Sequence, residues 1–146
     1  MDVEVKIDPR YGEPKLVIHT AEITDEVKAV LDKLGSEAAE QLAGFQNDMV
    51  TIIETAGIIR LYGEQQKVFA ETESGTFLIK YRLYEVENIL KNQRFVRISN
   101  SEIINLRKVK NMDLSLSGTI CVKLLNGRIS YVSRRYVAKI KTLLGL

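Results

Sequence analysis

Apolar and polar positions change period several times along this chain, and each change predicts an element. Val3, Val5 and Ile7 alternate with charged neighbours, Asp8-Pro9-Arg10-Tyr11-Gly12 has turn chemistry, and Leu16-Val17-Ile18 is a second apolar run. That pattern predicts two short strands. The period then becomes helical, with Val27, Val30, Leu31 and Leu34 at i, i+3, i+4 and i+7. Thr24 stands where an N-cap belongs, Asp25 and Glu26 suit the positive end of a helix dipole, and Gly35 falls where a C-terminal cap is expected. Residues 36–44 have weak periodicity and read as a linker, although Ala38, Ala39 and Leu42 could extend a helix.

From Met49 onward short strands dominate. Apolar runs bounded by turn residues predict strands at 49–54, 58–62, 67–72 and 76–80, the last two joined through Glu73-Ser74-Gly75. One helical signature interrupts them, because Leu83, Val86 and Leu90 share a helix face. Strands follow at 95–98, 103–106, 113–116, 119–124 and 128–132, and Asn126-Gly127 between the last two is the strongest hairpin signal in the chain. Ser133 then offers an N-cap to a terminal helix striped by Val137, Ile140 and Leu144. The expected fold class is α+β, mostly β, with short strands and few helices, preceded by a small β-β-α extension.

Composition narrows the possibilities. The 146 residues suit one domain, or one with a small appendage, and 45% hydrophobic with 27% charged residues is enough for a real core. The apolar runs 49–53 and 56–59 are far shorter than the ~20 residues a membrane helix needs, and no signal segment stands out, so the reading is a soluble, cytoplasmic protein. Cys121 is the single cysteine and His19 the single histidine, so neither an internal disulfide nor a Cys/His metal cluster is expected. The net charge of +2 hides a division. Residues 1–54 hold 5 Lys/Arg against 12 Asp/Glu, a balance of −7, and the remaining residues hold 16 against 7, a balance of +9. A basic segment of that length usually faces an anionic partner, namely nucleic acid, a membrane surface or an acidic protein, the alternative being a plain solvated surface.

No catalytic chemistry is assembled by these residues. His19 lies in the acidic segment, far along the chain from Cys121, and the carboxylate pairs Glu71/Glu73 and Glu85/Glu87 read as solubilising charges. The glycines are dispersed at turns and form no phosphate cradle. An enzyme is not expected, and no cofactor or metal is called for. Two local anomalies are more informative. Arg134 and Arg135 occupy the first turn of the last helix, where the dipole disfavours cations by ~0.3 to 1 kcal/mol; such an arginine pair could meet phosphates and guanine edges, or turn outward to pair with a carboxylate. Lys139 lies farther along the same helix and suits a phosphate. In Arg97-Ile98-Ser99-Asn100-Ser101 an apolar strand runs into three small hydrogen-bonding residues; Asn suits adenine and Ser suits phosphate oxygens, while Ser-Asn-Ser is also ordinary turn chemistry. Gly63-Glu64-Gln65-Gln66-Lys67 is a third polar loop, in which Gln66 and Lys67 would suit DNA.

Three stretches in order, Leu83-Tyr84-Glu85-Val86-Glu87-Asn88-Ile89-Leu90, the run from Phe95 through Ser99-Asn100-Ser101 to Val109, and Asn126-Gly127 followed by Val132-Ser133-Arg134-Arg135-Tyr136, resemble the LytTR-type DNA-binding domain of bacterial transcription regulators. The resemblance covers residues 45–146 and leaves 1–44 as an acidic extension with a regulatory or dimerisation role. It implies a mostly-β domain that inserts loops into successive major grooves of double-stranded DNA at promoter repeats. Carried over by position, it implies base contacts at Asn100 and Arg135 with Arg134 alongside, phosphate contacts at Arg97 and Ser101, and a first recognition loop around Gln65-Gln66-Lys67. Ser99 stands where some members carry histidine. The resemblance further implies a stand-alone regulator with an inhibitory membrane protein as a possible partner, while the strand edges at 3–7 and 16–18 and the apolar helix face of the extension, in need of cover, point to a homodimer. The alternative from another class is a protein-interaction module whose basic face docks on an acidic or membrane-bound partner.

Overall fold

The computed structural model describes residues 1–35, 40–91 and 93–146, in which ten strands form two antiparallel sheets. Helix α1 (Asp25–Gly35) comes first, with Thr24 Oγ1 accepting the Val27 N–H at 3.3 Å as a cap. Strands β1 (Gln41–Gln46) and β2 (Met49–Glu54) form a hairpin. β3 (Arg60–Glu64), β4 (Lys67–Thr72) and β5 (Gly75–Ile79) form a meander whose last strand pairs with β1. Helix α2 (Leu83–Ile89) then carries the chain across to β6 (Phe95–Ser99) and β7 (Glu102–Asn105), and β7 pairs with β3. The larger sheet thus runs β2-β1-β5-β4-β3-β7-β6. β8 (Val109–Asp113), β9 (Ile120–Leu124) and β10 (Ile129–Val132) make the smaller sheet, and α3 (Arg134–Leu143) closes the chain.

Side-chain alternation along the strands divides the interior into two cores. On one face of the larger sheet Leu42, Ile53, Leu61, Val68, Ala70, Phe77, Ile79 and Ile103 pack with Leu83, Val86 and Leu90 of the α2 region. The neighbouring Ile104 points the opposite way, and joins Ile59, Val96 and Ile98 against Ile120, Val122, Leu124 and Val132 of the smaller sheet and Ile140 of α3. β7 is therefore buried on both faces, which explains the adjacent isoleucines Ile103 and Ile104. Gly44 is required by close packing, since a Cβ there would overlap Ile53 and Phe77.

Ion pairs join the sheets. Arg60 on β3 bonds Glu71 on β4 at 3.0 Å, Glu71 also takes Arg128 from the β9–β10 turn at 2.7 Å, and Glu102 on β7 accepts the Ser130 hydroxyl of β10 at 2.6 Å. Burial pushes the Glu71 carboxyl up, but Arg128 and Arg60 together hold it, on balance, below its ordinary value. The ionised form is thus preferred in the folded state, so the stabilisation is complete above the unfolded value of ~4.3 and fades as pH falls through the lower folded one. Glu71→Gln is expected to cost about 1–3 kcal/mol at neutral pH. In thermal melts its deficit should shrink below pH 4, whereas an equal deficit at acid and neutral pH would show that charge is not the cause.

The mostly-β α+β class, α1, α2, β2, β4 and the Asn126-Gly127 hairpin agree with the sequence reading, and Gly127 takes φ +89° in that turn. The β-β part of the extension does not form: residues 1–24 hold no strand, and Val3, Val5, Ile7, Leu16 and Val17 are exposed. Alternation supplies a strand with a face, but a strand also needs a neighbouring edge. Gln41 to Gly44, read as linker, lie in β1, with Leu42 in the core; Ala38 and Ala39 lie outside the described residues. β3 starts two residues late because Ile59 N–H bonds Glu71 O before regular pairing begins. The strand expected at 113–116 is instead β8, leaving Leu114 and Leu116 exposed after it. Leu144 of the expected stripe is also exposed, while Val137 and Ile140 pack.

Candidate nucleic-acid interface

Three loops meet at one end of the larger sheet. The β3–β4 turn carries Gln65-Gln66, the β6–β7 turn carries Asn100-Ser101, and the start of α3 carries Arg134-Arg135. Gly63 N–H donates to Ser101 O at 2.8 Å, which ties the first turn to the second. Ser133 N–H donates to Ile98 O at 2.8 Å, which sets the head of α3 beside the end of β6. Across that junction Asn100 Oδ1 accepts the Arg135 guanidinium at 3.3 Å and the Tyr136 hydroxyl at 3.4 Å, and the Arg135 guanidinium lies 5.8 Å from the Tyr136 ring. Two side chains separated by 35 residues thus share one exposed contact.

The second turn is braced from beneath. Arg97, expected at a phosphate, turns its guanidinium inward: it donates to Ser99 O at 2.7 Å and Asn100 O at 2.6 Å, and pairs with Glu87 of α2 at 3.4 Å. Ser99 Oγ accepts the Ser101 N–H at 3.2 Å, closing the turn with its own side chain. Ser101, Asn100, Gln66, Lys67, Arg134, Arg135 and Lys139 are exposed, and Ser99 is half-buried. Arg134 lies over the β8–β9 loop, where a Cβ on Gly118, itself at φ +75°, would come 3.1 Å from its Nε.

The first turn has unusual backbone chemistry. Gln65 and Gln66 both take positive φ, 51° and 64°, as a two-residue hairpin turn demands. The β1–β2 turn has the same requirement and fills it with Asn47 and Asp48, which tolerate that conformation far better than glutamine does.

Two carboxylates dismissed as solubilising have specific work here. Glu85 Oε1 accepts the Arg82 N–H at 3.0 Å and caps α2, and Glu87 holds Arg97. Nothing in their i, i+2 spacing points to either partner. Tyr136 was visible in the sequence but only the fold sets it over Asn100. Ser133 occupies the N-cap position without making the cap bond, and its buried Oγ has no hydrogen-bond partner among the described residues.

The described residues form a mostly-β domain that gathers polar and cationic loops at one sheet end, with α2 and α3 separated by five strands, and so without the consecutive helix pair of a helix-turn-helix. The LytTr DNA-binding domain model matches residues 48–145, and the chain belongs to that family. It is 30% identical over 147 residues to an uncharacterized HTH-type transcriptional regulator of Staphylococcus aureus strain MSSA476, covering 100% of this chain and 99% of that protein. The counterpart in strain MRSA252 is 29% identical over the same length. In structure the chain is similar to the LytTr DNA-binding domain of a Bacillus cereus protein described as a methyl-accepting/DNA response regulator, with a TM-score of 0.70, 24% identity, and 73% of this chain and 98% of that one covered. DNA binding and transcription regulation follow from the family. Among the described residues no helix is long and apolar enough to cross a membrane.

Proposed function

We propose that the three loops read duplex DNA in its major grooves at promoter repeats, with Asn100, Arg135 and Gln66 at base edges and Arg134, Lys67, Lys139, Ser99 and Ser101 toward the backbone. The observation that carries this reading is the contact between Arg135 and Asn100. It holds a guanine-competent and an adenine-competent side chain at one point of an exposed surface. Arg97 is assigned the bracing of the Asn100 turn in place of a phosphate contact. The regulator acts in the cytoplasm as a homodimer, and residues 1–44 serve assembly or regulation, since their acidic balance would repel phosphates. A membrane protein that restrains the regulator fits the same scheme.

Titration of the DNA upstream of its own gene at two salt concentrations tests the reading. A sequence preference and a steep salt slope are expected, and equal affinity for all sequences would remove base readout. Gln66→Gly separates contact from fold. Glycine relieves the positive φ, so stability should rise by up to about 1 kcal/mol, while specific binding falls. Tighter binding by the stabilised variant would exclude Gln66 from the contact.

A further inference from the structure

The face of the larger sheet opposite α2 is covered by the smaller sheet at its β7–β6 end and open at its β1–β2 end. Register places Val50 opposite Phe45, Phe45 opposite Leu78, Leu78 opposite Phe69 and Phe69 opposite Tyr62, an apolar row across five strands. Its members are half-buried except Val50, which is exposed, as is the neighbouring Ile52. β2 is also a free edge. Thr55 N–H donates to Glu40 O, and hydrogen-bonded pairs alternate along an antiparallel ladder, so Val50, Ile52 and Glu54 turn their backbone groups outward. A cleft of about 330 Å³, lined by Thr51, Ile53, Phe77 and Lys108 among others, flanks this edge. Short natural edges are usually charged, bulged or covered. This one is apolar.

The same chain carries a matching piece without a partner strand. Val3, Val5 and Ile7 alternate with Glu4 and Lys6, and are 85%, 81% and 93% exposed. We infer that residues 3–7 of one copy add as a strand to the β2 edge of a second copy, with Val3, Val5 and Ile7 extending the Val50–Phe45–Leu78 row. A one-residue slip would turn the charged side onto that row, so the alternation sets the register. Exchange is reciprocal and closes at two copies, with each donated strand covering one free edge. A second copy is the occupant, because within one chain residues 3–7 form no strand and both they and the β2 residues Val50 and Ile52 stay exposed. This rests on the homodimer proposed above and names its surface.

The test uses the full chain with Cys121→Ser. One tagged copy carries Val5→Cys and a differently tagged copy carries Ile52→Cys. Mixed and oxidised, they are expected to yield a disulfide containing both tags, and light scattering of the parent should give a dimer. Ile52→Pro removes only an outward N–H, which an edge strand tolerates, and should raise the dimer dissociation constant at least tenfold with the melting curve retained. A dimeric mass with no mixed-tag disulfide and no effect of Ile52→Pro overturns the strand exchange and leaves pairing through another surface. A monomeric mass at all concentrations overturns both. A third variant carries both Val5→Cys and Ile52→Cys in one chain, and a disulfide that forms there but never between the two tagged copies shows the strand closing on its own sheet, which also overturns the exchange.

Discussion

Asn105→Ala is expected to lower stability by about 2–4 kcal/mol, the largest effect of any single polar substitution considered. Asn105 ends β7 with 0% exposure, yet every polar group on its side chain has a partner. Its Nδ2 donates to Ile58 O at 2.8 Å and to Ala56 O at 3.1 Å, and its Oδ1 accepts the Arg107 N–H at 3.0 Å. It therefore fixes the irregular passage between β2 and β3 to the end of β7. Alanine leaves the buried Ile58 carbonyl without this donor and a void in place of the amide. Asn105→Asp keeps the acceptor but removes both donors and adds a buried charge, so it should be at least as damaging. Urea melts of the three proteins check this, and a loss under 1 kcal/mol for both variants would show that water replaces the amide.

Arg135→Ala and Asn100→Ala should each weaken specific DNA binding by about 1–3 kcal/mol, roughly 5- to 150-fold, while leaving the melting temperature nearly unchanged. Both side chains are exposed, and their mutual bond at 3.3 Å is long, so the fold owes it little. The contact has a further consequence. Removing either residue also frees the other from its position, so the double variant should lose less than the sum of the singles, with a coupling of 0.5 kcal/mol or more. Binding titrations of the four proteins against the same DNA supply the cycle. Strict additivity would mean the two read DNA independently, and a drop in melting temperature with parental affinity would make the residue structural.

The sequence reading succeeded where a single local period decided the outcome. β4 is a short apolar run between two turns with Val68 and Ala70 buried on alternate positions, and α2 shows Leu83, Val86 and Leu90 at helical spacing, all three buried. It failed where the deciding partner is distant. Val3 to Ile7 has the alternation of a strand and no strand beside it. Leu42, in a stretch without clear period, becomes β1 because β2 and β5 flank it. The same division holds at the interface. Asn100 and Arg135 stand out as residue types that break local rules, whereas the inward turn of Arg97 depends on Glu87 of α2 and on two loop carbonyls. No spacing encodes those partners.

The burial of β7 on both faces bears on how the molecule comes apart. Ile103 belongs to one core and Ile104 to the other, so the two cores are separated by the thickness of one strand. Melting either core uncovers one face of β7, so the two sheets are expected to unfold as one cooperative unit, with the β7 amides among the last to exchange with solvent in a hydrogen-exchange measurement. The Asn100-Ser101 turn grows directly from that strand. Its tip is exposed and free to meet a ligand, while its base is rooted in the slowest-opening part of the chain, so local fraying elsewhere reaches this turn late.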